Sequence, residues 1–346
     1  MLKQRENERS LIEAARNGDE VALRELLEPL SRELHVYAYR MLGGFQDAED
    51  ALQEARFKAW RSLGSYEPHA SFRAWMYRIV TNTCLDMLRT RKRRVLPQDV
   101  GPPVEPGPPS TEMRRDIPWL EPYPDALLPD SANPEAALLL RESIRLAFIR
   151  AVQVLPPRQR AALILHDVLD WSASDVPRML ETTVPAINSA LQRARGSIAR
   201  SGAGALRSDD LEEKKAEAVS RFVRAWETGD LDLLVSMLAE DAVMSMPPWV
   251  SWLDGREAVA ATLRNPATWD GEPRPGRYRI LSIGMNGQPA ALAYMRGDDG
   301  RYSAVCLTVL TLDRGGRISE LTVFVLPEQV TAWGCPSTLE SVTVPN

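Results

Sequence analysis

Residues 71–94, SFRAWMYRIVTNTCLDMLRTRKRR, place two kinds of chemistry on one helix-compatible stretch. Phe72, Trp75 and Tyr77 stand among apolar residues in its first half, and Arg89, Arg91, Lys92, Arg93 and Arg94 close it. Cations attract a phosphate backbone whatever its sequence. Aromatic faces give unpaired bases something to stack on. A segment that supplies both fits a device that grips DNA while the duplex opens. The same residues also fit an amphipathic helix whose aromatics are core and whose basic end complements the helix dipole. Burial of the rings separates these two readings.

A second cluster lies in WSASDVPRMLETTVPAINSALQRARGSIAR, residues 171–200, which has the rhythm of helix, short turn and longer helix. Thr183 suits the N-cap of the second helix, and Pro185 falls in its first turn, where a missing N–H costs little. Asn188, Ser189, Gln192 and Arg193 then share a polar face spaced to reach base edges and phosphates.

Other chemistry is thinly represented. Cys84, Cys306 and Cys335 are odd in number and far apart, forming neither a disulfide framework nor a metal knuckle, which points to a reducing compartment. No phosphate-binding glycine loop or dinucleotide fingerprint appears, and no metal or cofactor is expected. His35, His69 and His166 all precede residue 200. Asp241, Asp254, Glu257 and Asp313 read as caps and turn residues rather than as an acid/base pair.

The elements that must carry these side chains follow from periodicity. Residues 5–94 read as helical, with apolar residues at three- and four-residue spacing: Leu11, Ala14 and Ala15; Leu23, Leu26 and Leu27; Leu34, Tyr37 and Met41. Gly43-Gly44 is expected to close one helix and Asp47 to open the next. SLGSYEPHAS (62–71) reads as a loop. Ten prolines between Pro97 and Pro129 predict an extended, semi-rigid tether. Within it, Trp119, Leu120 and Tyr123 of DIPWLEPYPD are apolar enough to dock in a groove. Helix resumes over 134–200, broken at Leu155-Pro156-Pro157. Residues 201–210, SGAGALRSDD, read as a flexible joint. Helices at 212–228 and 230–239 and strands at 242–246, 277–285, 290–296, 302–313 and 317–326 then predict an α+β fold, an antiparallel meander curved around a pocket. Arg314-Gly315-Gly316 supplies its last turn.

Charge is unevenly spread. The net charge of −5 divides into −5 over residues 1–55, +8 over 56–94, −5 over 95–133, +3 over 134–202 and −6 beyond. Two basic islands separated by acidic ground fit two nucleic-acid contacts better than one acidic enzyme. The first residues are charged and lack the apolar run of a signal peptide. No stretch has the length of a membrane-spanning helix, so no membrane partner is expected and the cytoplasm is the expected location.

DAEDALQEARFKAW (47–60) followed by FRAWMYRIVTNTCLDMLRTRKRR (72–94) resembles region 2 of the extracytoplasmic-function (ECF) sigma factors of bacterial RNA polymerase. LPPRQRAALILHDVLDWSASDVPRMLETTVPAINSALQRARGSIAR (155–200) resembles their region 4. The C-terminal part is similar to the SnoaL-like (NTF2-like) cone through its strand pattern, GREAVAATL (255–263) and the DRGGR turn (313–317). The WLEPYPD linker is similar to that of the sigma subfamily carrying this extra domain. The implied fold is multidomain: all-α region 2 over 1–95, a Pro-rich linker over 96–133, a helix-turn-helix region 4 over 134–202, a joint at 203–211, an α+β cone over 212–335 and a tail at 336–346.

The resemblance implies roles residue by residue. Asp47, Asp50, Gln53 and Glu54 would meet the polymerase clamp helices, and region 4 the flap. Phe72, Trp75, Arg78 and Asn82 would lie at the −10 element, with Phe72 and Asn82 at its flipped base. Arg89, Arg91, Lys92, Arg93 and Arg94 would hold phosphates. Thr183, Asn188, Ser189, Gln192 and Arg193 would serve the −35 element, with Arg195 on phosphate. Trp119, Leu120 and Tyr123 would anchor a contact between the cone and the sigma core, and a small ligand is a candidate for the cone's pocket. Two departures stand out. Pro177 replaces the usual small residue in the first helix of the helix-turn-helix, predicting a shortened or kinked helix. Glu181 occupies the turn position where glycine is customary.

The function implied is a transcription initiation factor, without covalent chemistry, that binds core polymerase and is tuned in cis by its C-terminal domain. A sigma-like DNA-binding protein fused to a catalytic cone is the alternative. A stand-alone helix-turn-helix repressor would leave residues 47–94 without a role.

Overall fold

The computed structural model describes residues 2–67, 71–107, 113–130, 133–172, 174–200, 211–265 and 274–340. Almost all of the joint expected at 203–211 and much of the tail lie outside them. The chain forms two compact units: residues 1–94 with 127–204, and residues 95–126 with 205–346.

In the first unit, α1 (Leu2–Arg16), α2 (Glu20–Leu42), α3 (Phe45–Ser62) and α4 (Phe72–Thr90) make one bundle. Local chemistry sets their ends. The Asp19 carboxylate accepts from the N–H groups of Val21 and Ala22 at the start of α2, and Gly43 ends it in the left-handed region at φ 74°. Gly44, not Asp47, is the N-cap of α3, and Asp47 sits inside its first turn. The Ser71 hydroxyl caps α4 by accepting from Ala74 N. The apolar stripes read from the sequence form the core: Leu34, Tyr37 and Met41 are each 1% exposed or less. The Tyr37 hydroxyl is satisfied there by Thr81 Oγ1 at 2.8 Å.

The same unit continues with α5 (Pro134–Glu142), α6 (Leu146–Gln153), α7 (Pro157–Leu163), a π-helical turn (Ile164–Val168), α8 (Asp175–Met179) and α9 (Val184–Arg200). Helix α8 is only five residues long. Pro177 is its third residue, where an N–H would lack an intrahelical partner, so the proline removes no bond. The expected shortening is present. Two buried arginines bind the later helices to α2. Arg160, 2% exposed, donates to the carbonyl oxygens of Met41, Gln153 and Leu155 and to Gln153 Oε1. Arg40, fully buried, donates to Ser143 Oγ at 2.8 Å.

The second unit contains α10 (Leu211–Thr228), α11 (Leu231–Ser236), β1 (Leu238–Ser245), β2 (Trp252–Asp254), α12 (Arg256–Leu263), β3 (Tyr278–Met285), β4 (Gln288–Arg296), β5 (Tyr302–Leu312), β6 (Ile318–Phe324) and β7 (Thr338–Leu339). The sheet order is β2-β1-β6-β5-β4-β3, with β7 on β5. Strands β3 to β6 form the expected antiparallel meander, but β1 runs parallel to β6, which a plain meander does not contain. Register shifts at Ala293/Tyr294 and Thr311/Leu312 curve the sheet around α10 and α12. β2 and β7, three and two residues long, are too short to show a period and were not expected.

The Pro-rich segment is not a free tether. Val95 and Trp119 form a parallel bridge, and Val104 N donates to Trp252 O at 2.9 Å. Trp119, Leu120 and Tyr123 are 8%, 0% and 0% exposed. The β3–β4 hairpin turns through Asn286-Gly287, both at positive φ, the pair such tight turns require. The Asn286 carboxamide Oδ1 accepts from Tyr123 N at 2.9 Å, and the Asn286 backbone N–H returns a bond to Tyr123 O at 2.8 Å. Gly287 N donates to Asp125 Oδ1 at 2.8 Å.

Candidate nucleic-acid interface

Trp75, Arg78, Ile79 and Asn82 recur at three- and four-residue spacing and so form one stripe along α4. Together with Ser65, Tyr66, Glu67 and Ala74 they form one wall of a cavity of about 590 Å³; Trp171, Asp175, Arg178 and Met179 form the other. Arg78 and Asn82 are exposed and Trp75 is half-buried, so an indole face, a guanidinium and a carboxamide line one cavity. That set can stack on a base, pair with a phosphate and hydrogen-bond a base edge.

Phe72 does not join them at the surface. It is 2% exposed and packs against Tyr66 at 5.9 Å and 84° and Trp75 at 5.5 Å and 39°. Its periodic position on the inner face makes it core, so the aromatic that α4 contributes to the cavity is Trp75. For Phe72 the core reading of the aromatic segment holds.

The basic end of α4 is sorted by its partners. Lys92 and Arg93 are exposed. Arg89 pairs with Asp86 at 2.9 Å on the helix surface. Arg91 and Arg94 turn back onto α3: both bind the Asp47 carboxylate, Arg94 at 2.7 Å, and Arg91 also lies 3.8 Å from Asp50. Asp47 and Arg94 are 14% and 13% exposed. A half-buried pair of this kind fixes the segment after α4 and leaves Arg94 little freedom to reach a phosphate. Asp50, Gln53 and Glu54 are exposed along α3, whereas Asp47 is not.

On α9, Ile187, Ala190, Leu191 and Ala194 face inward, which turns Asn188, Ser189, Gln192, Arg193 and Arg195 outward. Thr183 caps the helix as expected, accepting from Ala186 N at 3.4 Å. Arg193 donates to Ser189 Oγ at 2.6 Å, which braces it along the reading face. Arg195 is held by Asp167 through two bonds of 2.5 and 2.7 Å. Burial pushes the Asp167 carboxyl up, but Arg195 and His166 outweigh it and hold the group below the ordinary aspartate range.

Two participants were not anticipated. Trp171 packs on Tyr77 at 5.2 Å and receives the Arg73 guanidinium over its ring at 5.1 Å. Glu181, at φ 50° in the helix-turn-helix turn, accepts from Arg78 at 2.5 Å. The glycine departure at 181 was the one signal in the sequence that marked the second.

In the second unit, a cavity under the sheet is lined by Phe222, Trp226, Tyr278, Ile280, Cys306 and Thr308 among others, and among the described residues its lining holds no carboxylate or histidine. Burial pushes the Cys306 thiol up to about 12. Among the described residues no group of histidine, cysteine and carboxylate side chains could hold a metal, and no helix is long and apolar enough to cross a membrane.

Comparison with known proteins gives three domain matches: Sigma-70 region 2 over residues 26–94, Sigma-70 region 4 over 145–198 and a SnoaL-like domain over 219–321. The chain is 39% identical over 319 residues to the ECF RNA polymerase sigma factor SigG of Mycobacterium tuberculosis, covering 90% of this chain and 83% of that one. It is 29% identical to SigJ of the same organism, over 88% and 92% of the two chains. The crystal structure of the Mycobacterium tuberculosis extracytoplasmic function sigma factor SigJ superposes with a TM-score of 0.58 at 25% identity, covering 90% of this chain and 98% of that one.

Proposed function

The chain belongs to the extracytoplasmic-function sigma factors, and from that premise we propose how its side chains divide the work of binding core RNA polymerase and opening a promoter. An ECF sigma factor engages the polymerase, recognises the −10 and −35 elements and starts transcription. Here Trp75 stacks on an unpaired −10 base, Asn82 bonds its edge and Arg78 takes a phosphate, with Phe72 backing the indole from the core. Extracting a base costs a few kcal/mol, which stacking and hydrogen bonding must return. Arg89, Lys92 and Arg93 steer the backbone, while Arg91 and Arg94 serve mainly through Asp47. Asn188, Ser189, Gln192 and Arg193 read the −35 element, Thr183 fixes the start of their helix, and Arg195 supports on phosphate. Asp50, Gln53 and Glu54 meet the clamp helices, with Asp47 ordering the junction behind them, and region 4 meets the flap.

The observation that carries this reading is the Trp75–Arg78–Asn82 stripe along a cavity wall. In this reading region 2 spans 1–95 and region 4 spans 134–202, around the matched stretches 26–94 and 145–198. The SnoaL-like part binds rather than catalyses: among the described residues its cavity is lined mainly by apolar side chains, with a thiol that burial keeps protonated and no carboxylate or imidazole to act as a general base near neutral pH. It modulates the sigma regions in cis through the anchored Trp119–Tyr123 peptide. The protein works in the cytoplasm, with the polymerase. Transcription from a selected promoter library with core enzyme tests these assignments. Asn82→Ala and Trp75→Ala should each lower open-complex formation at least tenfold, and Gln192→Ala should alter −35 preference. Full activity in Asn82→Ala would refute the −10 assignment, and unchanged transcription after removal of residues 211–346 would refute regulation in cis.

A further inference from the structure

We propose that the turn of the helix-turn-helix acts as an internal plug for the −10-reading face, with Glu181 standing in for a DNA phosphate on Arg78. The inference rests on the assignment of α4 given above. Within the first unit, α8 and the segment before it form the wall opposite Trp75, Arg78 and Asn82. The attachment has two ends of different character. At the α2 end, Arg160 and Arg40 are buried and donate into main-chain carbonyls and Ser143, so that end resists opening. Beside the cavity, Trp171 packs on Tyr77 and under Arg73, while Arg73 itself is held by Glu33 through bonds of 2.8 and 2.9 Å. At the rim an ion pair closes the turn onto α4, and both its members are well exposed: Arg78 by 50% and Glu181 by 62%. A firm hinge and a weak latch result.

Glu181 is suited to the latch for two reasons. Its backbone lies at φ 50°, in the left-handed region, within the tight turn from which its side chain meets Arg78. Its carboxylate is an anion that accepts a charge-assisted bond at the site where a phosphate oxygen would meet the guanidinium. Phosphate and Glu181 therefore compete for Arg78. While the latch is closed, Arg78 is engaged by Glu181, and a DNA phosphate must displace that carboxylate before region 2 can grip DNA at the cavity.

The test is binding of a single-stranded oligonucleotide carrying the −10 element of a promoter selected with the holoenzyme. Full-length protein, Glu181→Gln, Glu181→Gly and Asn82→Ala are each measured with and without core polymerase. An exposed ion pair predicts that Glu181→Gln tightens binding by the free protein by about two- to fivefold. With core polymerase bound the latch is already open, so the ratio should fall to about one. Hydrogen exchange in α8 of the free protein should accelerate in Glu181→Gln and Glu181→Gly alike. Equal affinity of wild type and Glu181→Gln in the free state overturns the latch. A tightening of the same size with core polymerase also overturns it, because that is simple removal of a negative charge near DNA. If Asn82→Ala binds like wild type, the −10 assignment fails instead, and the two failures are distinguishable.

Discussion

Replacing Tyr123 by alanine should loosen the docked linker without unfolding the domain beneath it. The ring is fully buried in the second unit, and truncation of a buried aromatic removes about 3–5 kcal/mol. Because Trp119 and Leu120 remain as anchors and the paired backbone bonds with Asn286 are untouched, the lower bound applies. A loss of about 3 kcal/mol is roughly a hundredfold shift in the local opening equilibrium. Hydrogen exchange reports it directly, through amides whose partners lie across the docked peptide. These are Leu120 N to Val95 O, Asn286 N to Tyr123 O and Gly287 N to Asp125 Oδ1. Their protection should fall about a hundredfold. Amides in β5, bonded to β4 and β6, should keep theirs. Wild-type protection at Asn286 and Gly287 in Tyr123→Ala would refute the view that this side chain holds the linker down. A loss spread equally over β5 would show instead that the linker and the sheet unfold as one unit.

Two further outcomes follow from buried charge. Asp167 has its pKa lowered by Arg195 and His166 against the opposing effect of burial, so the contribution is present above the ordinary aspartate range and lost as pH falls through the depressed value. The melting-temperature gap between wild type and Asp167→Asn should therefore shrink as pH falls below about 4, the ordinary aspartate range; a gap that widens on acidification would contradict it. Arg160→Met orphans three main-chain carbonyls at about 1–3 kcal/mol each, partly offset by relief of the burial that lowers the arginine's pKa to about 10. A net loss of at least about 2 kcal/mol in urea denaturation is expected, and an unchanged midpoint would show that water reaches those carbonyls.

The sequence by itself determined the helical and strand content, the two DNA-facing modules and their order. These depend on local chemistry: the apolar period of α2, the glycine stop at Gly43, the Thr183 cap and the polar face of α9 are all written within a few residues of where they act. It also marked Trp119, Leu120 and Tyr123 as a docking peptide, because linkers do not ordinarily carry such apolar surface. Only the tertiary structure decided which side chains remain available. Phe72 and Trp75 are alike in type and three residues apart, yet one is core and the other lines a cavity, since the neighbours that bury Phe72 come from Tyr66 and the surrounding bundle. Arg91, Lys92, Arg93 and Arg94 read as one basic run, but the first and last are drawn to Asp47, 44 and 47 residues away in the chain. Glu181 and Arg78 lie 103 residues apart, and β1 pairs in parallel with β6 across most of its domain. Partnerships of that range depend on how the whole chain closes, and no local period records them.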